Sequence, residues 1–157
     1  MEKDIMRSQY IFLYPSPLDL AHYTADAFVV WCFDDRFREG EIAFLEHMGV
    51  RHRDPESPAG GAKIFFDPEK ESDQDFMRRE LEKSVRLHGT EKVWLFTHHD
   101  CGACGGFARF DNDHDKEISY HGQGHRRAKD FVKKYFSAIE VRTFFVDEKG
   151  VIETTDF

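Results

Sequence analysis

Cysteine is scarce. Three occur in 157 residues, an odd number and too few for a disulfide framework. Such thiols suit metal or redox chemistry in a reducing compartment. No apolar run approaches the roughly 18 residues that a membrane-spanning helix needs. The stretch from Met1 to Pro17 mixes charge with a few apolar residues and ends in prolines. It lacks the continuous apolar region and small-residue cleavage site of an export signal, so a cytoplasmic protein with no membrane partner is expected. Basic charge is also short: 22 Lys and Arg stand against 30 Asp and Glu, for a net charge of -8. No basic stripe is available to neutralise phosphates, which argues against nucleic acid as a partner. The short clusters Arg51-His52-Arg53 and His125-Arg126-Arg127 read as solvated surface. Internal repeats and low-complexity tracts are absent.

Apolar bulk is present. Sixteen Phe, in a chain of one-domain length, supply large groups for a core that needs no staples. Ala27 to Cys32 is a continuous apolar run, as expected of a strand buried on both faces. A helix is expected from Arg38 to Met48, with Ile42, Leu45 and Met48 inward and Gly49 as its stop. Residues Arg51 to Gly61 hold two Pro and two Gly and read as loop, and Ala62 to Phe66 as a second strand. Asp73 is a cap for a helix over Gln74 to His88, with Phe76, Leu81, Val85 and Leu87 buried and Gly89 ending it. Lys92 to Thr97 is the third strand. Asp111 to Glu117 reads as an exposed loop, Gln123 to Ser137 as a helix carrying Ala128, Phe131, Val132, Tyr135 and Phe136 at helical spacing, and Val141 to Val146 as a fourth strand. A turn at Glu148 to Gly150 leads into a last strand, Val151 to Glu153.

Alternation of strands and helices predicts an α/β domain. Its sheet is mainly parallel, of about four strands flanked by helices, with an antiparallel edge strand at the C-terminus. An arm over residues 1–26 precedes a single domain over 27–157. Tyr10 and Tyr14 are expected in core or interface. Ligands of such sheets bind beyond the carboxyl ends of strands, where strand order reverses.

Two clusters sit at such ends. Cys32-Phe33-Asp34-Asp35-Arg36 closes the first strand, and His98-His99-Asp100-Cys101 follows the third. Cys32, Asp34, His98 and Cys101 make a four-ligand set for Zn2+. Asp34 is a weaker, exchangeable member of that set, and Arg36 is a ready partner for its carboxylate, so the site can open. A lone Cys32 would more simply be core. Cys101-Gly102-Ala103-Cys104 also has redox-pair spacing, although a Cys that holds metal is not free for that role; Cys104 is expected as a small buried residue. Asp35 and Asp100 read as supports that hydrogen-bond a ligand or cap a helix. Gly102, Gly105 and Gly106 are expected to permit a tight turn whose N–H groups face a thiolate. Among the nine His, His99, His121 and His125 are candidate proton relays, beside the commoner role of plain core or surface residues.

The run Cys32-x-Asp34-x-Arg36, with Thr97-His98-x-x-Cys101-Gly102, resembles the β-class carbonic anhydrases. The resemblance spans Ala27 to Phe157 in element order. It implies reversible hydration of carbon dioxide to bicarbonate by metal-bound hydroxide, with Zn2+ on Cys32, His98 and Cys101. It also implies that Asp34 either closes the site as fourth ligand or swings to Arg36, making Asp34 and Arg36 the catalytic gate, and that the protein is a homodimer or higher homo-oligomer. Charge counting agrees with exchange: zinc, two thiolates and a neutral imidazole sum to zero, so a carboxylate or a hydroxide gives the same total. The chain departs from the family after the second strand, where Ser57-Pro58-Ala59-Gly60-Gly61 keeps small residues and loses an Arg and an Asn. Other readings are the same zinc fold acting on another small electrophile, and a closed, non-catalytic structural zinc site.

Overall fold

The computed structural model describes residues 11–154. Five strands form one sheet in the order β2-β1-β3-β4-β5. They are β1 (Ala27–Val30), β2 (Arg53–Glu56), β3 (Lys92–His98), β4 (Glu140–Asp147) and β5 (Gly150–Glu153). The first four run parallel, and β5 folds back antiparallel on β4. The helices are α1 (Asp35–His47), α2 (Lys63–Phe66), α3 (Glu71–His88) and α4 (His114–Tyr135). Among the described residues no helix is long and apolar enough to cross a membrane. The expected architecture is therefore observed.

Alternation along the central strands sorts side chains onto two faces. Phe28, Val30, Val93 and Leu95 pack with Phe65, Met77, Leu81, Ala128 and Val132 beneath α2, α3 and α4. Ala27, Val29, Trp94 and Phe96 pack with Leu45, Val50 and Phe144 beneath α1. Both faces are covered, which is why β1 and β3 read as unbroken apolar runs.

Several expectations fail for identifiable reasons. The supposed loop over 51–61 contains β2, an edge strand paired only with β1. An edge tolerates Pro55, whose missing N–H would break a central ladder. Ala62 to Phe66 is no strand: the chain turns at Gly60 and Gly61, both at positive φ, and Lys63–Phe66 forms one helical turn. A short apolar run cannot by itself distinguish the two. Helix α3 begins at Glu71, and Asp73 acts three residues inside, accepting from the N–H of Lys70 at 3.2 Å. Its buried stripe is Met77, Leu81 and Ser84, with Val85 packed at the margin, whereas Phe76 and Leu87 are exposed. Leu45 of α1 is buried, but Met48, just past the end of α1, is exposed. Helix α4 takes in half of the expected loop, because Asp113 caps it by accepting from Asp115 and Lys116 N–H groups. Its first turns bury Glu117, His121, Gly124 and His125, a stripe without apolar signal. His125 thus leaves the solvated cluster assigned to it, and Tyr135 is exposed. Tyr14 is exposed as well, while Tyr10 lies outside the described residues.

Gly61 ties the loop after β2 to the middle of the sheet. Its φ is +55°, and a Cβ there would stand 2.3 Å from the Phe96 carbonyl oxygen and 2.8 Å from Cys32 N. Both neighbours are backbone and cannot turn aside. Gly61→Ala should therefore cost about 2–4 kcal/mol in urea unfolding; a loss below about 0.5 kcal/mol would show that the loop is free to shift.

Two buried histidines set an acid limit. Burial holds His121 and His125 down at about 3; His125 bridges Thr97 and Thr154 at 2.8 and 2.6 Å. A folded-state value below the ordinary 6.5 means that the unfolded chain binds more protons between pH 6.5 and 3. Stability is full above that window and falls as pH drops through it, by up to about 1.4 kcal/mol per pH unit for each ring. His125→Gln should flatten the dependence by about half of that combined slope between pH 6 and 4. An unchanged slope would assign acid sensitivity to other groups.

Candidate metal centre

Strands β1 and β3 are direct neighbours, with Phe28 opposite Val93 and Val30 opposite Leu95. From β1 the chain goes out to β2 on one side, and β3 lies on the other. Strand order reverses between them, so the loops leaving their carboxyl ends diverge and open a crevice. Cys32 follows β1, His98 ends β3 and Cys101 lies three residues on. One donor atom from each lies within 4.8 Å of the others, and all three residues are buried.

The imidazole is aimed by its surroundings. His98 Nδ1 donates to the His99 carbonyl at 2.7 Å, which leaves Nε2 as the outward lone pair. Phe37 from α1 stacks on the ring at 4.4 Å. Buried Nε2 has no hydrogen-bond partner, an unusual position for a polar atom unless a further group belongs there. The thiols point the same way. Hydrogen bonding with Cys101 and burial push the Cys32 thiol up to about 12, and Cys104 pushes Cys101 to about 11. Two thiolates this close repel each other, and a divalent cation would relieve that repulsion. Two sulfurs and one imidazole nitrogen are a donor set that suits zinc.

Backbone groups complete the pocket differently from expectation. Gly60 N–H, not one from Gly102, Gly105 or Gly106, donates to Cys32 Sγ at 3.3 Å. Gly105 and Gly106 have positive φ and spend their N–H groups on the Gly102 and Cys101 carbonyls. The segment Ser57 to Gly61 therefore lines the centre directly, with Ser57 Oγ accepting from Trp31 Nε1 at 2.7 Å. Cys104 is buried against Cys32, Cys101 and Tyr120.

Asp34 stands slightly apart. Its Oδ1 caps α1 by accepting from Arg36 N at 3.0 Å, and its Oδ2 accepts from Arg36 Nη2 at 2.7 Å. Oδ2 also lies 3.7 Å from His98 Nε2. The Arg36 guanidinium holds Asp34 well below the usual carboxylate range, at about 2. Arg36 continues to Asp100, donating to its carboxylate and its carbonyl at 3.2 and 3.1 Å. Asp100 is thus a support, as expected, but for Arg36. Asp35 begins α1. A cleft of about 720 Å³ opens over Cys32, Asp34, Arg36, Ala59, Cys101 and Ala103. A larger groove of about 810 Å³ shares Ala59 and Ala103 but runs away from the sulfurs.

Sequence reasoning missed Arg38 and Glu41. Arg38 donates to the Cys32 carbonyl at 2.6 Å, lies 3.9 Å over the Trp31 ring and pairs with buried Glu41 at 3.3 Å. Burial pushes Glu41 up to about 7. The i,i+3 spacing of Arg38 and Glu41 was the available signal, but it is common on exposed helix faces.

Fold and centre together define an α/β protein with a cysteine–histidine donor cluster at the switch point of a parallel sheet. The chain belongs to the family described as "Putative carbonic anhydrase", whose sequence profile matches residues 24–156. Solved structures agree in fold. The carbonic anhydrase of Streptococcus mutans aligns over 98% of this chain and 96% of its own, with 17% identity and a TM-score of 0.59. β-Carbonic anhydrase isoform I of Trichomonas vaginalis aligns over 98% and 92%, with 13% identity and a TM-score of 0.58. A tetrameric β-carbonic anhydrase of Sordaria macrospora aligns over 83% and 81%, with 13% identity and a TM-score of 0.53. No curated protein sequence matches the chain.

Proposed function

We propose that this protein is a zinc-dependent carbonic anhydrase that interconverts carbon dioxide and bicarbonate. The observation that carries the reading is the convergence of Cys32, His98 and Cys101, with His98 Nε2 buried and unpartnered, beneath an open cleft. These three residues would hold the ion. When bound, zinc supplies Lewis acidity that brings the ionisation of water towards neutral pH. The chain's own residues do the rest. Phe37 and the His99 carbonyl fix the imidazole, and Gly60 N–H and Arg38 fix Cys32. Asp34 stands close enough to His98 Nε2 to join those three as a fourth ligand, and Arg36, held by Asp100, would hold it back from doing so. A cleft floored by Ala59 and Ala103 leaves room for a small uncharged substrate.

Asp34 is ionised throughout the neutral range, so its own titration cannot produce a pH dependence there. The rate should instead rise with pH if Asp34 and solvent exchange at the bound ion, with Asp34 leaving to Arg36. Stopped-flow hydration of carbon dioxide, on protein of verified zinc content between pH 6.5 and 9, tests this. Arg36→Ala should retain zinc and move the midpoint upward by about one pH unit, since the released carboxylate loses its partner. No rate above buffer at any pH would defeat the assignment. A flat profile would indicate a site where Asp34 does not exchange.

We also infer a homodimer or higher homo-oligomer. Ile11, Phe12, Leu13, Leu18 and Leu20 are exposed on one short segment, more apolar surface than an isolated chain usually shows. Deleting residues 1–20 should convert the assembly to monomer in sedimentation velocity. Identical sedimentation coefficients, corrected for mass, would remove the arm from the interface.

A further inference from the structure

A second cluster of metal-type donors lies outside the sulfur-lined centre. His99, His114 and Glu117 each offer a donor atom within 4.8 Å of the other two. The proposed hydration chemistry uses the His99 carbonyl to orient His98 but none of these three side chains. His114 and Glu117 are three residues apart on the first turn of α4, so both side chains face the same way. His99 reaches them from the loop just after β3.

The cluster has a closed side and an open one. Glu117 is fully buried, and its Oε1 accepts from Asp100 N at 2.8 Å while Oε2 pairs with His99 Nδ1 at 2.6 Å. His114 is exposed at the rim. Phe107 holds both imidazoles, with ring centroids at 4.5 Å from His99 and 4.7 Å from His114, and the two imidazoles stack at 5.1 Å. A buried carboxylate with two imidazoles on one side and solvent beyond is an entry path ending in two nitrogens and an oxygen. That donor set favours borderline transition ions, Zn2+, Co2+ or Ni2+, over Mg2+ or Ca2+, which require mostly oxygen.

We propose that His99, His114 and Glu117 form a second, exchangeable site for a divalent transition-metal ion. It shares no donor atom with Cys32, His98 and Cys101. It is linked to them nonetheless, because Glu117 holds Asp100 N and Asp100 holds Arg36. An ion drawing on Glu117 acts on the residue that positions Arg36. If His99 and Glu117 were only a structural prop, His114 would be dispensable; a metal site needs it.

Full-length protein carrying one zinc, retained after dialysis, is titrated with Co2+ by calorimetry and visible absorption. The expected result is one further equivalent whose spectrum lacks thiolate charge-transfer bands. His114→Ala, at an exposed position, should weaken that equivalent by about tenfold or more, and Glu117→Gln should abolish it. Cys101→Ser should lose the first metal and keep the second, so failure of the hydration reading and failure of this one are separable. Absence of a second equivalent, or one that His114→Ala leaves unchanged, overturns the proposal. Because Glu117→Gln can disturb the fold, His114→Asn serves as a second mild variant expected to follow His114→Ala.

Discussion

Parallel pairing of β1 with β3 is the constraint from which the candidate centre follows. These strands come from distant parts of the chain, and only their side-by-side register sets Cys32 level with the end of β3. Covered on both faces, they are held by apolar burial and not by anything the metal-type residues contribute. The centre is thus borrowed from the core. Gly61 makes the arrangement tight: the loop after β2 comes into contact with Cys32 N and the Phe96 carbonyl, and Gly60 N–H then reaches the Cys32 sulfur. A side chain at Gly61 would separate loop from strands and lose a hydrogen bond to the sulfur with it.

Electrostatics at this crevice oppose each other in an informative way. Hydrogen bonding with Cys101 and burial hold the Cys32 thiol up, and Cys104 and burial hold Cys101 up, whereas Arg36 keeps Asp34 ionised a few ångströms away. The same site therefore disfavours negative charge on sulfur and secures it on oxygen. Exposure explains the contrast. Asp34 has the guanidinium and some solvent contact, while the sulfurs are buried with no cationic partner of that kind. A dication resting between the sulfurs would reverse their preference and leave that of Asp34 unaltered.

The fold was legible where burial wrote itself into apolar runs, and obscure where it did not. β1, β3 and β4 are covered on both faces and stand out. β2 is an edge strand of Arg53, Asp54, Pro55 and Glu56, held partly by polar contacts such as Asp54 with Tyr23, Ser84 and His88, and nothing apolar marks it. The first half of α4 buries Glu117, His121 and His125, so its periodicity is invisible to any hydrophobic count, although Asp113 was a legible cap. At the centre, the convergence of Cys32, His98 and Cys101 was foreseeable from two strand ends. The backbone donor to the Cys32 sulfur was not, because Gly60 lies in a stretch that reads as plain loop and nothing in it marks the turn that brings its N–H to the sulfur. The His99–His114–Glu117 cluster was hidden for a related reason: two of its members lie in residues that read as an exposed loop.

Asp34 shows how local structure would bias the proposed gate. As the cap of α1 it is committed through Oδ1 to Arg36 N, a contact whose loss typically costs about 1 kcal/mol. Its other oxygen, Oδ2, is the one that faces His98 Nε2 at 3.7 Å, and it is held back by Arg36 Nη2. If Asp34 serves the proposed centre as a fourth ligand, it can do so through Oδ2 while Oδ1 still caps the helix. Closing then requires breaking the guanidinium contact and leaves the backbone of α1 undisturbed. The helix would then fix where the carboxylate pivots, and Arg36, held by Asp100, would set which way it turns. In that proposal a rotation about a fixed cap would separate the open arrangement from the closed one, which would make the exchange compatible with a core packed as closely as the one beneath it.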